Sequence, residues 1–127
     1  LTVSVPPRDY GMLAGMLAEA ISADEAGAVS AALAAVARRS GRDAASDGDL
    51  MAALRRCGYR PIENSAGDIE LRNCPFHRIA REHPELVCGL NLQLIRGMLD
   101  ALGESPERAE LSPGECRCCV VVHPAAG

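Results

Sequence analysis

The chain has no tryptophan, no lysine and a single phenylalanine, and aromatic residues make up only 2% of it. A core without rings has to be built from Ala, Leu, Val, Ile and Met, which favours closely packed helices. All 13 basic residues are arginine, which we read as coding bias rather than mechanism. Also missing is any apolar run approaching the roughly 20 residues of a membrane span, and the N-terminus lacks the charged and apolar regions of a secretory signal. These absences predict a cytoplasmic protein with no membrane partner. With a net charge of -4 and a pI near 5.3 there is no basic surplus, so the chain is not expected to grip DNA by itself. No glycine-rich phosphate loop, usefully spaced carboxylate pair or nucleophile with a base and an orienting group is recognisable, so an enzyme is not expected.

What is present is hydrophobic periodicity. The 127 residues suffice for one domain, 1–127, and not for two independent ones. Thr2 to Val5 alternates with the period of a strand. It starts without a methionine and in the middle of an apolar pattern, as in a piece of a longer protein. Met12, Leu13, Met16, Leu17 and Ile21 then make one helical stripe, with Gly11 and Gly15 a turn apart as a place for another backbone to approach. A second helix is predicted from Asp24 to Ser40, with Gly41 as its stop, and a third through Leu50 to Cys57, capped by Asp47 or Asp49 and broken at Gly58.

The second half changes character. Tyr59 to Glu63 and Ile69 to Leu71 flank a turn-rich Asn64 to Asp68, which predicts a hairpin. A short helix from Phe76 to His83 follows, then a long one that starts at Pro84 and stops at Gly103. Ala109 to Leu111, the turn Ser112 to Glu115 and a strand from Cys116 to His123 read as a last hairpin. The expected class is α+β: N-terminal helices packed on a small antiparallel sheet, with a long helix between hairpins.

All the cysteines except Cys57 fall in this second half, at 74, 88, 116, 118 and 119. In a cytoplasmic chain that density favours metal binding or redox chemistry over structural disulfides. Cys74 lies where a strand gives way to a helix, and the helix dipole is expected to lower its pKa toward the thiolate a metal requires. His77 lies one helical turn further on, and Cys88 falls in the first turns of the long helix. Along an extended final strand, Cys116 and Cys118 share one face and Cys119 points to the other. If that strand pairs with the one ending near Cys74, then Cys74, His77, Cys88 and Cys118 form a plausible metal set, with Cys116 as an alternative fourth ligand. Three Cys and one His is a common closed zinc set, whereas a cluster is usually held by thiolates, so zinc and an iron–sulfur cluster both stay open. Cys57, His83 and His123 are read as structural.

The run Asn73-Cys74-Pro75-Phe76-His77, the run His83-Pro84-Glu85-Leu86-Val87-Cys88, and Gly114 to Val120 with its Cys-Cys-Val resemble the C-terminal region of winged helix-turn-helix (ArsR/DeoR-type) bacterial transcription regulators. Their best-known relatives are repressors of iron–sulfur assembly genes. The resemblance covers roughly residues 59 to 122, and more loosely the helices before. It implies a dimerising effector domain in which Cys74, Cys88 and Cys118 match the three family cysteines. It also implies an N-terminal DNA-binding winged helix-turn-helix, absent from this sequence. The α+β pattern is further similar to four-vinyl-reductase-type sensor domains, which places a small-molecule effector among the expected partners. On this reading the chain is a homodimer that meets DNA only through the missing domain. A metal-free thiol redox or small-molecule sensor domain is the alternative, with a thiol enzyme less favoured.

Overall fold

A computed structural model describes residues 10–112 and 118–125; of Tyr10, Leu13, His77 and Arg78 the side chains fall outside this description, as does the expected strand at Thr2 to Val5. The elements in chain order are α1 (Tyr10–Ser22), α2 (Ala28–Ala44), α3 (Leu50–Arg56), β1 (Pro61–Glu63), β2 (Ile69–Leu71), α4 (His77–Glu82), α5 (Pro84–Ala101), a 3₁₀ turn (Pro106–Arg108), β3 (Ala109–Leu111) and β4 (Val120–Val122). The class is α+β, with an antiparallel four-stranded sheet in the order β1-β2-β4-β3.

Local chemistry sets several boundaries. The Asp49 carboxylate accepts the amide of Ala52 at 3.1 Å and caps α3, an interaction generally worth about 1 kcal/mol. Gly58, at φ +93°, turns the chain out of that helix. Between β1 and β2 the Asn64 side chain accepts the amides of Ala66 and Asp68, which fixes the turn and with it the register Ile62↔Glu70. Pro84 opens α5 because its missing N–H is one of the helix's unpaired donors anyway, and Gly103 at φ +70° follows its end.

The main helical contact runs between α2 and α5, and α5 packs in turn on β3 and β4. Leu54, Leu71, Ile95, Met98, Leu99, Val120 and Val122 form a fully buried core where α3, α5 and the sheet meet. Two glycines decide how closely α2 and α5 approach. A Cβ on Gly41 would lie 2.9 Å from the Leu94 carbonyl carbon and 3.0 Å from the Met98 amide nitrogen, and closer still to the Leu94 oxygen. A Cβ on Gly97 would meet Arg38 and Arg42 in the same way. The crossing is backbone against backbone, and Arg38 locks it with a bidentate pair to Asp100 (2.5 and 3.1 Å) and a hydrogen bond to Gln93 (3.1 Å). The hydrogen bond from Arg38 holds the Asp100 carboxyl below its ordinary pKa.

Two sequence expectations change here. Gly41 does not stop α2, which runs on to Ala44; it is buried in the crossing instead. The approach expected at Gly15 is not made by the described residues, none of which lies within 4 Å of where its Cβ would be.

On the outer part of the sheet the imidazole of His123 bridges two carboxylates, with Nδ1 3.0 Å from Asp68 and Nε2 2.9 Å from Glu110. The hydrogen bond to Asp68, joined by that to Glu110, raises the His123 pKa above its ordinary value. A folded-state pKa above the unfolded one means the contribution to stability is fully present below about pH 6.5 and fades as pH rises through the folded value. Thermal stability is therefore expected to fall as pH rises above about 6.5, and His123→Gln is expected to flatten that slope in melts followed by circular dichroism. An unchanged slope in the variant contradicts the assignment.

Candidate thiol site

The antiparallel pairing of β2 with β4 (Ile69↔Val122, Glu70↔Val121) brings the end of β2 beside the segment that precedes β4. The pairing continues one step beyond the strands, where the amide of Cys118 donates to the carbonyl of Leu71 at 2.8 Å. From there Cys118 reaches Cys74, and the two thiols lie close enough for each to shift the other's titration. Cys118 is 1% exposed and Cys74 half-buried. Two of the expected ligands, from distant parts of the chain, thus stand together.

The remaining expected ligands are placed differently. Cys88 is half-buried on α5. One turn later on the same helix, Asn91 touches Cys74. His77 opens α4, with its side chain outside the described residues, and Cys116 lies outside them altogether. Among the described residues no three Cys, His, Asp or Glu side chains converge in a metal-ligating group.

The facing predicted for Cys119 is not what is found. Its thiol lies near enough to Cys118 to shift that thiol's titration, rather than pointing away from it. The reason is that β4 begins only at Val120 and the chain bends at Cys119, so the period-two rule does not yet apply to this pair. Cys57, at the C-terminal end of α3, packs against the core, where burial raises its thiol pKa.

Nor is Cys74 tuned as the helix-dipole argument expected. The neighbouring Cys118 thiol and then burial hold its thiol well above the ordinary range, outweighing the Asn91 hydrogen bond and the backbone of Phe76, which favour the thiolate. Cys118 is pushed up to about 11, first by the neighbouring Cys119 thiol and also by burial, while the Cys74 thiol works the other way. Alone, both groups stay protonated at neutral pH. A bound cation reverses that balance, because a coordinated thiol is deprotonated outright.

Sequence reasoning missed two polar residues beneath the thiols. Asn91 is fully buried; its Nδ2 lies 3.4 Å from Cys74 Sγ and donates to it, while its Oδ1 accepts a short hydrogen bond from the Tyr59 hydroxyl. Tyr59 is 2% exposed. The available signal was an amide on the stripe Val87, Asn91, Ile95, Met98, where every other member is apolar. Next to Cys74, Asn73 donates to the Gly58 carbonyl at 2.8 Å, but its buried Oδ1 has no hydrogen-bond partner among the described residues.

Comparison with family models, with curated proteins and with solved structures finds no match to this chain. Among the described residues no helix is long and apolar enough to cross a membrane.

Proposed function

We propose that this chain is the metal- or iron–sulfur-binding effector and dimerisation domain of a bacterial transcription regulator, with Cys74 and Cys118 as paired thiolate ligands. Cys88 is the third ligand, and His77 or Cys116 the fourth. The observation that carries the reading is the Cys74–Cys118 pair: a half-buried and a buried thiol brought together across the β2–β4 pairing, with the Asn91 amide directed at the Cys74 sulfur. This donor set suits a soft, thiophilic cation. The orphaned Asn73 oxygen adds support, since a buried acceptor without a donor costs about 1–3 kcal/mol unless something further binds beside it.

A metal or cluster here would tie the end of β2, the start of β4 and the first turns of α5 into one unit. Its binding free energy then becomes folding free energy for that half of the chain. Met12, Met16 and Leu17 on α1, at 62%, 55% and 55% exposed, together with Val29 and Val36 on α2, support a homodimer through these helices. DNA would be met only through a winged helix-turn-helix domain outside this sequence. That assignment rests on the resemblance of the cysteine-bearing runs.

Ligand variants test the reading. Cys88→Ser is expected to weaken zinc binding by more than the roughly 10- to 100-fold that outer-shell changes cost, measured by chelator competition, while Cys57→Ser leaves it unchanged. Equal affinity in the two variants removes Cys88 from the site.

The closeness of the Cys74 and Cys118 thiols favours one second reading, a metal-free dithiol switch. Oxidation by a peroxide would form the Cys74–Cys118 disulfide, with both thiol protons and two electrons passing to the peroxide and two waters leaving when it is hydrogen peroxide. Protein purified without oxygen that is fully folded and metal-free, and that gains this one disulfide with peroxide, favours the switch over the metal.

A further inference from the structure

We infer that Asn91, oriented by Tyr59, is a positioning residue that holds the Cys74 sulfur as a metal-bound thiolate. The inference rests on the metal reading above.

Asn91 is the buried polar residue of the described core, on the α5 stripe otherwise made by Val87, Ile95 and Met98. An amide in such a place is tolerated when its groups are hydrogen-bonded, yet stability alone gives no reason to keep it there, because an apolar side chain of similar shape serves a core as well or better. The specific partners supply the reason. The Tyr59 hydroxyl donates to Oδ1, which turns the Asn91 amide so that Nδ2 faces Cys74 Sγ at 3.4 Å. The backbone of Phe76, two residues on, also favours the thiolate form of the same sulfur. A neutral thiol is a weak acceptor, whereas a thiolate or metal-bound sulfur is a strong one. A buried amide donor held on this sulfur therefore matches the ligated state.

Hydrogen bonds of this kind do more than fix direction. They draw charge from the sulfur, and they are among the levers that set thiolate–metal affinity and the potentials of clusters. Asn91 also lies one helical turn from Cys88, so the residue that orients one proposed ligand shares a helix face with another. Any shift of α5 is then felt at both.

Cobalt(II) provides the test, through its affinity for the 127-residue chain and its sulfur-to-cobalt charge-transfer absorption in the near ultraviolet. Asn91→Leu is expected to remain folded in urea titration, to bind cobalt roughly 10- to 100-fold more weakly, and to move the charge-transfer band to lower energy. Tyr59→Phe, which keeps the ring and removes only the hydroxyl, is expected to shift both quantities in the same direction by less. It carries the test if Asn91→Leu does not fold. Unchanged affinity and an unchanged band in the folded variants overturn the role of Asn91 and leave the metal reading standing. A wild-type chain that binds cobalt with no sulfur charge-transfer band overturns the metal reading, and this inference with it.

Discussion

Gly97→Ala is expected to lower the thermal midpoint by roughly 10 °C or more, with Gly41→Ala close behind, in melts followed by circular dichroism. Alanine in a helix interior normally gains about 0.5–1 kcal/mol over glycine. Here each new methyl would run into main-chain atoms of the facing helix: Leu94 and Met98 for Gly41, Arg38 and Arg42 for Gly97. A flexible side chain could swing aside, but a carbonyl held in a helix cannot. The helices must separate, which loosens the Arg38–Asp100 clamp and the contacts of Ile95, Met98 and Leu99 below it. Overpacking usually costs about 1–3 kcal/mol, and backbone against backbone puts this case at about 3 kcal/mol or more. Gly15→Ala, whose new methyl would meet none of the described residues within 4 Å, is the control and is expected to be neutral or slightly stabilising. If all three variants melt alike, the close crossing of α2 and α5 is wrong.

The second large effect concerns the proposed metal. Apparent binding free energies of structural zinc sites run to about 10–16 kcal/mol, comparable with the whole stability of a small domain at about 5–15 kcal/mol. Stripping the metal with a chelator under reducing conditions is therefore expected to disorder the thiol half while sparing the helical half. In hydrogen exchange the amide of Cys118, bonded to Leu71, the β2–β4 ladder and the first turns of α5 should lose protection. The α2–α5 crossing around Gly41 and Gly97 should keep it. Uniform loss across both halves contradicts this division of the energy.

The features legible in the sequence are those set by neighbours along the chain. Asp49 caps α3, the Asn64 to Asp68 turn closes the first hairpin, and Pro84 and Gly103 bracket α5, because each of these depends on a few adjacent residues. The juxtaposition of Cys74 and Cys118 was reachable as well, once β2 was expected to pair with the last strand. The misread features depend on partners distant in sequence. Gly41 has the composition of a helix stop and the role of a contact point, and only the presence of Gly97 on the opposite helix separates the two. Cys119 was assigned a face by alternation, but the strand starts one residue later. The Cys74 pKa was judged from its own helix, whereas its strongest influence is the Cys118 thiol. Asn91 was visible as a polar interruption of an apolar stripe, yet its meaning required Tyr59 on one side and a sulfur on the other.

The measurement that bears most directly on the central claim is elemental analysis, with an absorption spectrum, of protein purified without oxygen. The account predicts about one zinc per chain, or iron with broad visible absorption, lost together when Cys74 and Cys118 are both replaced by serine. A cooperatively folded protein carrying neither metal, with both thiols free, would contradict it.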